Sequence, residues 1–200
     1  MKYAGLVVLG ILLAAPAGAQ PPAAGQALGL AASIQRGYNN IKMNLTQSAD
    51  KLGDADYGYK VGSMAETRTF GQLFGHVIQS QSATCAAVRG VTNPFQGRQL
   101  EQELKTKAEI AKALAESFAL CDEAYSSLTD QNALEMVKQG TGTIARAAAL
   151  SNNVTHDNEI YGTSAAYLRS KGIVPPSTER QTQGRGAGAG RGAPAPPPGR

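Results

Sequence analysis

Apolar residues recur every three or four positions along four long stretches of this chain, and polar, glycine-rich links separate them. From Gln26 to Leu52, the residues Leu30, Ile34, Tyr38, Ile41 and Leu45 keep that spacing, which puts them on one face of a helix. Gly53-Asp54 breaks the pattern, and residues 53–68 are too rich in Gly, Asp and Ser to form a core. A second helix is predicted from Thr69, a side chain suited to cap a helix N-terminus, to Arg89-Gly90. Its apolar face is Phe70, Leu73, Phe74, Val77 and Ile78. Turn chemistry follows at Asn93-Pro94 and Gly97. A third helix is predicted over Leu100–Leu128, with Leu104, Ala108, Ala111, Leu114, Phe118, Cys121, Tyr125 and Leu128 in one stripe. Residues 129–142 predict one short helical turn around Leu134–Lys138, ended by Gly140-Thr141-Gly142. The fourth helix is predicted over Thr143–Lys171. Gly172 suits the left-handed stop and Pro175-Pro176 prevents continuation. No alternating segment of useful length predicts a strand.

Four long amphipathic helices predict an all-α fold, an antiparallel four-helix bundle. About 150 residues suffice for one such domain with a proper core. The long link between the first two helices predicts a connection that crosses the bundle.

The two ends of the chain read differently from the middle. Residues 1–19 predict a secretory signal peptide: Lys2 is the positive start, residues 4–15 are the apolar run, and Ala17-Gly18-Ala19 is the cleavage pattern. The domain then spans 20–178, and the mature protein is expected to be secreted or periplasmic, without a membrane span. Residues 179–200 are rich in Gly, Ala, Pro and Arg and lack large apolar side chains. Such a composition predicts a disordered tail. The chain carries 19 Lys+Arg and 15 Asp+Glu; setting aside Lys2, Arg180, Arg185, Arg191, Arg200 and Glu179 leaves 14 of each sign. The basic balance is therefore terminal, and no nucleic acid is expected as a partner of the folded domain. The tail reads as a solubilising segment before it reads as a tether for an anionic polymer. Bundles of this size often form homodimers, but no surface stripe marks such a face.

Candidate chemistry is sparse. The two histidines, His76 and His156, each lie near the apolar face of their own helix, where bundles bring ligands together. Cys85 and Cys121 are an even pair. Export favours a disulfide between them over two separate buried thiols. Neither sits in a basic or helix-N-terminal setting that would make a reactive thiolate. Phosphate-binding glycine loops, nucleophile elbows and His-Glu-x-x-His runs are absent, so the pattern assigns no catalytic residue.

The run Arg68-Thr69-Phe70-Gly71-Gln72-Leu73-Phe74-Gly75-His76 resembles the second-helix motif of the DinB-like superfamily. The run His156-Asp157-Asn158-Glu159-Ile160-Tyr161-Gly162, with Tyr167-Leu168-Arg169 and Gly172–Ser177, resembles its fourth-helix signature. Order and spacing agree over residues 26–178. The resemblance implies an up-down-down-up bundle. It also implies a divalent metal, zinc or nickel, held by one His from the second helix and a His-x-x-x-His pair from the fourth. Some relatives are thiol-dependent transferases or isomerases, and many have no assigned activity. Carried across, His76 and His156 match two ligands, while the third place holds Ile160. Glu159 is the expected substitute, with Asn152 a weaker one. These residues imply a partly degenerate metal site in a binding or structural module for an unidentified small molecule. The alternative is a metal-dependent hydrolase or thiol-dependent transferase. Tyr161, Tyr167 and Arg169 are expected to tie the last helix to its surroundings.

Overall fold

The first apolar stripe folds as α1 (Leu30–Lys51), burying Tyr38, Ile41 and Leu45, while Leu30 at its start stays exposed. The computed structural model describes residues 27–189, with side chains through residue 184. The predicted signal peptide and the last residues of the predicted tail lie outside these. A short 3-10 turn (Asp54–Asp56) leads into α2 (Phe70–Arg89). Thr69 caps α2 as its type predicts. Its hydroxyl accepts from the Gln72 N–H at 3.2 Å, and the Gln72 side chain accepts from the Thr69 N–H at 2.8 Å. Two otherwise unpaired donors are satisfied reciprocally.

The predicted third helix is two helices. α3 (Leu100–Glu103) ends at Leu104, whose backbone is extended, and α4 (Lys107–Ser126) begins after Thr106. Thr106 and Glu109 form a second capping box. The apolar stripe runs through this break, so periodicity alone hides it, whereas the Thr-x-x-Glu spacing marks it. Thr106→Ala is expected to cost about 1 kcal/mol, the usual loss for removing such a cap. A shift of the urea midpoint measures it; an unchanged midpoint would mean that the cap contributes nothing.

The short helical turn predicted around Leu134–Lys138 is a β-hairpin instead. β1 (Met136–Gln139) pairs antiparallel with β2 (Gly142–Ala145), Gln139 opposite Gly142. The two-residue loop needs a positive φ at its first position, and Gly140 supplies it at +59°. The hairpin takes the start of the predicted fourth helix, so α5 is Arg146–Ser170. Gly172, at φ +74°, ends it with backbone bonds from Gly172 to Arg169 and from Ile173 to Leu168.

α1 and α2 each pack on α4 and α5, which places α1 diagonally across from α2. The link between them therefore crosses the end of the bundle. Residue pairings give the directions. Tyr38 meets Asp122 while Lys107 reaches the Asp50 carbonyl, so α1 and α4 are antiparallel. Gln81 donates to Ser117, and Cys85 meets Cys121, so α2 and α4 run parallel. The order is up-down-down-up, an all-α bundle with one small hairpin. Tyr38 stacks on Tyr125 at 3.8 Å between ring centres in its core. Cys85 and Cys121 are disulfide-bonded, their Cα atoms 5.1 Å apart. The parallel run of α2 and α4 brings two late-helix cysteines level.

The described start of the predicted tail, residues 179–189, also departs from expectation. A helix α6 (Pro176–Ala189) continues past the predicted domain limit at 178 and crosses α1. Glu179 pairs with Lys51 at 2.6 Å, and Arg180 donates to Gln47, Asn44 and Asn40. Composition gave no hint of these partners, because they come from α1. Among the described residues no helix is long and apolar enough to cross a membrane.

Candidate functional site

α2 and α5 run antiparallel, and their middles face each other at His76 and His156. The two Nε2 atoms stand 3.0 Å apart. The imidazoles are about a quarter exposed, at 29% and 27%, so one side of the pair is open to solvent.

Each ring is held from behind by a carboxylate. His76 Nδ1 donates to Glu101 Oε1 at 2.8 Å. Glu101 comes from α3, which lies against α2 because residue 75 is glycine. A Cβ there would stand 2.9 Å from the Glu101 Cα and from the Leu100 carbonyl oxygen. Arg68, just before α2, grips Glu101 with Nε to Oε2 at 2.8 Å, and its own carbonyl accepts from Tyr167 on α5 at 2.6 Å. Burial alone would raise the Glu101 carboxyl. The hydrogen bonds from Arg68 and His76 outweigh it and hold the group below its ordinary 4.5. Ionised Glu101 can only accept, so the proton of His76 sits on Nδ1 and its Nε2 presents a lone pair.

His156 is backed by Asp157, fully buried, with Oδ1 3.3 Å from Nδ1. Asn153 donates to Asp157 Oδ2 at 3.0 Å and meets the Tyr125 hydroxyl at 3.1 Å. Tyr125 donates to the Leu150 carbonyl at 2.9 Å. Burial pushes the Asp157 carboxyl above its ordinary 3.8, against the bonds from His156 and Asn153. A protonated Asp157 donates to His156 Nδ1, which leaves the His156 proton on Nε2, aimed at His76. Asp157, His156, His76 and Glu101 then form one head-to-tail chain of hydrogen bonds. When Asp157 is ionised and His156 carries its proton on Nδ1, two lone pairs face each other, an arrangement that a shared cation relieves.

The raised carboxyl has a stability consequence with a definite sign. The folded state holds the Asp157 proton at pH values where the unfolded chain has released it, so stability falls as pH rises from 3.8 through the raised value. Glu101, held low, has the opposite effect: its contribution is present above 4.5 and is lost as pH falls through the lowered value. Asp157→Asn is therefore expected to gain stability relative to the unaltered protein as pH rises from about 4 to about 7. Urea unfolding of both at each pH measures it, and a gap that is constant across that range would sink the idea.

The structure brings His76 and His156 together but not the rest of the expected set. Ile160, on α5, is buried at 7% exposure, and Glu159 and Asn152 are exposed. Among the described residues no group of three or more His, Cys, Asp and Glu side chains is arranged to hold a metal ion. The residues present thus form a pair of imidazoles in hydrogen-bond contact and not a three-ligand centre. Glu101, Arg68, Asp157 and Asn153 were missed at the sequence level as parts of the site. Asp157 adjoins His156, which was a usable signal. Glu101 had none, since only Gly75 brings its helix close. Tyr161 bonds Ser177 at 2.7 Å, and Arg169 bonds Thr178 at 3.2 Å, both tying α5 to the start of α6. A groove of about 320 Å³ between α1 and α4, lined in part by Lys42, Leu114, Phe118 and Asp122, lies on the opposite edge of the bundle from the histidines.

The architecture has known counterparts. A DinB-like protein from Bacillus cereus ATCC 10987 superposes with a TM-score of 0.59 at 15% identity, over 72% of this chain and 93% of that one. A DinB-like protein from Bacillus subtilis gives 0.54 at 16% identity, over 71% and 93%. At these identities the likeness concerns the fold alone. No curated protein matches the chain. The sequence model of the DinB superfamily matches residues 40–163, from mid-α1 to past Ile160 and so across both histidines. The chain belongs to the DinB superfamily.

Proposed function

We propose that this protein is an exported cation-binding module, in which His76 and His156 form an open, two-imidazole clamp for a divalent metal ion and a small ligand completes the coordination. The observation that carries the reading is the meeting of the two Nε2 atoms at 3.0 Å with both Nδ1 atoms backed by carboxylates. A carboxylate behind a ring fixes its tautomer and aim and strengthens it as a ligand. With Ile160 where a third imidazole would stand, zinc or nickel is held weakly, since structural and catalytic centres for these ions use three or four protein ligands. The Cys85–Cys121 disulfide supports an oxidising compartment, in agreement with the signal-like N-terminus.

Metal content of the purified protein, loaded with zinc or nickel and desalted, tests the clamp against His76→Ala. Substoichiometric metal that disappears in the variant supports the reading. A full equivalent that survives desalting would contradict weak binding, and equal retention in the variant would place the metal elsewhere.

The exposed side of the pair favours a second reading, a metal-dependent hydrolase or thiol-dependent transferase. A bound divalent ion supplies Lewis-acid polarisation and a water of lowered pKa. The chain itself would orient the rings through Glu101 and Asp157 and exclude water on the Ile160 side. Any turnover must then vanish in His76→Ala; activity that persists would remove the enzyme reading.

A further inference from the structure

We propose that the hollow between α1 and α6 binds a small polar α-amino acid, with its carboxylate on Arg180 and its ammonium on Asp50. The hollow lies against α1, the helix diagonal from α2 in the bundle, and is independent of the histidine pair.

Its volume is about 300 Å³, at the lower end of the range for small-molecule sites. Gln47, Asp50 and Lys51 of α1 form one wall, and Glu179, Arg180 and Gln183 of α6 form the other. Walls of this kind suit a hydrophilic guest that is itself rich in hydrogen-bonding groups.

The charges narrow the class. Lys51 and Glu179 meet at 2.6 Å and neutralise each other. Arg180 donates to the side-chain oxygens of Gln47, Asn40 and Asn44. All three acceptors are neutral, and guanidinium N–H groups remain to spare. Asn44, buried at 3% exposure, holds that guanidinium against α1. Asp50 is exposed. The neighbouring Lys107 ammonium is taken by the backbone carbonyls of Asp50 and Leu52. The ion pairs of this region among the described residues, Lys51 with Glu179 and Lys171 with Asp56, leave out both Arg180 and the Asp50 carboxylate.

One cation and one anion thus line the same hollow without pairing with each other. A zwitterion satisfies both. A plain anion would face the like charge of Asp50, and a plain amine that of Arg180. The planar guanidinium fork matches a carboxylate, and Asp50 accepts from an ammonium. The amides of Gln47 and Gln183 both donate and accept, which suits a polar side chain on the guest. The guest also bridges two helices. Binding therefore favours the state in which α6 lies on α1, and opening of α6 becomes rarer.

The full-length protein should be titrated by calorimetry with L-glutamine, with glutaramate, which lacks the ammonium, and with 4-aminobutanamide, which lacks the carboxylate. Amide hydrogen exchange over residues 179–184 is followed with and without each compound. The expected result is glutamine binding at least about tenfold tighter than either analogue, with slower exchange in α6. Asp50→Asn should weaken glutamine about tenfold and leave glutaramate unchanged. That exposed carboxylate holds no other element, so the fold stays intact. Arg180→Gln should remove binding of glutamine and glutaramate alike, but it also loosens α6, so Asp50→Asn is the deciding variant. Glutaramate bound as tightly as glutamine, or glutamine binding unaltered in Asp50→Asn, would overturn the inference. Binding that leaves α6 exchange unchanged would place the guest elsewhere and overturn it too, as would no binding of any of the three compounds.

Discussion

Replacing both Cys85 and Cys121 by alanine lowers the stability of this protein by about 4 kcal/mol. The bond closes a loop of 36 residues. In the chain-entropy account, a cross-link of that span removes conformational freedom from the unfolded chain, and the cost of folding falls by that amount. The structure adds a reason to expect the full effect. The bridged helices α2 and α4 run parallel and are joined by a long path through α3, so without the bond the unfolded chain must find this register across a wide loop. Both cysteines are fully buried, so the native bond is shielded from reductant. Urea unfolding of the double variant beside the oxidised protein gives the difference. The reduced protein should unfold close to the double variant, apart from the small cavity that alanine leaves. A double variant within about 1 kcal/mol of the parent would show that the bond adds little to a pair already fixed by packing.

Ile160→His converts the clamp into a centre with three imidazoles and raises zinc affinity by about two orders of magnitude or more. Even the loss of a group that only orients a ligand costs 10–100-fold, and a whole ligand is worth more. The position is right, because residues four apart on a helix stand one turn apart on the same face and Ile160 is buried on the face that carries His156. The change has a cost. A polar ring replaces a packed hydrocarbon, so the metal-free variant should lose about 1–3 kcal/mol. Zinc at a hundredfold excess over its dissociation constant returns about 2.7 kcal/mol. The thermal midpoint of the variant should therefore fall without metal and recover with zinc, whereas the parent midpoint barely moves. A variant that retains no more zinc than the parent would show that residue 160 does not reach the point where the two histidines meet.

How far the sequence reached differs between elements. The four long helices were legible because each buries a stripe with the helical period, and Thr69, Gly172 and Pro175-Pro176 mark ends through local backbone chemistry. The break at Thr106 was missed because the stripe continues through it, and only the cap reveals it. The hairpin was missed because four-residue strands carry too little alternation, and the one strong local signal, Gly140, was read as a break and not as a turn. The helix α6 was missed because its partners are Asn40, Asn44, Gln47 and Lys51 on α1. A Gly-rich segment has little helix propensity of its own, and contacts with another element override it.

By itself the sequence determined the four long apolar stripes, the resemblance to the family and the placing of one histidine in each of two helices, because these depend on residue type and spacing along one helix. Only the tertiary structure decided that α2 and α4 run parallel, which puts Cys85 against Cys121. It alone brought His76 to within 3.0 Å of His156 and set Glu101 behind it across the gap that Gly75 leaves open. Those relations join residues 25 to 80 positions apart. They follow from how whole helix faces pack, and local spacing carries no record of that.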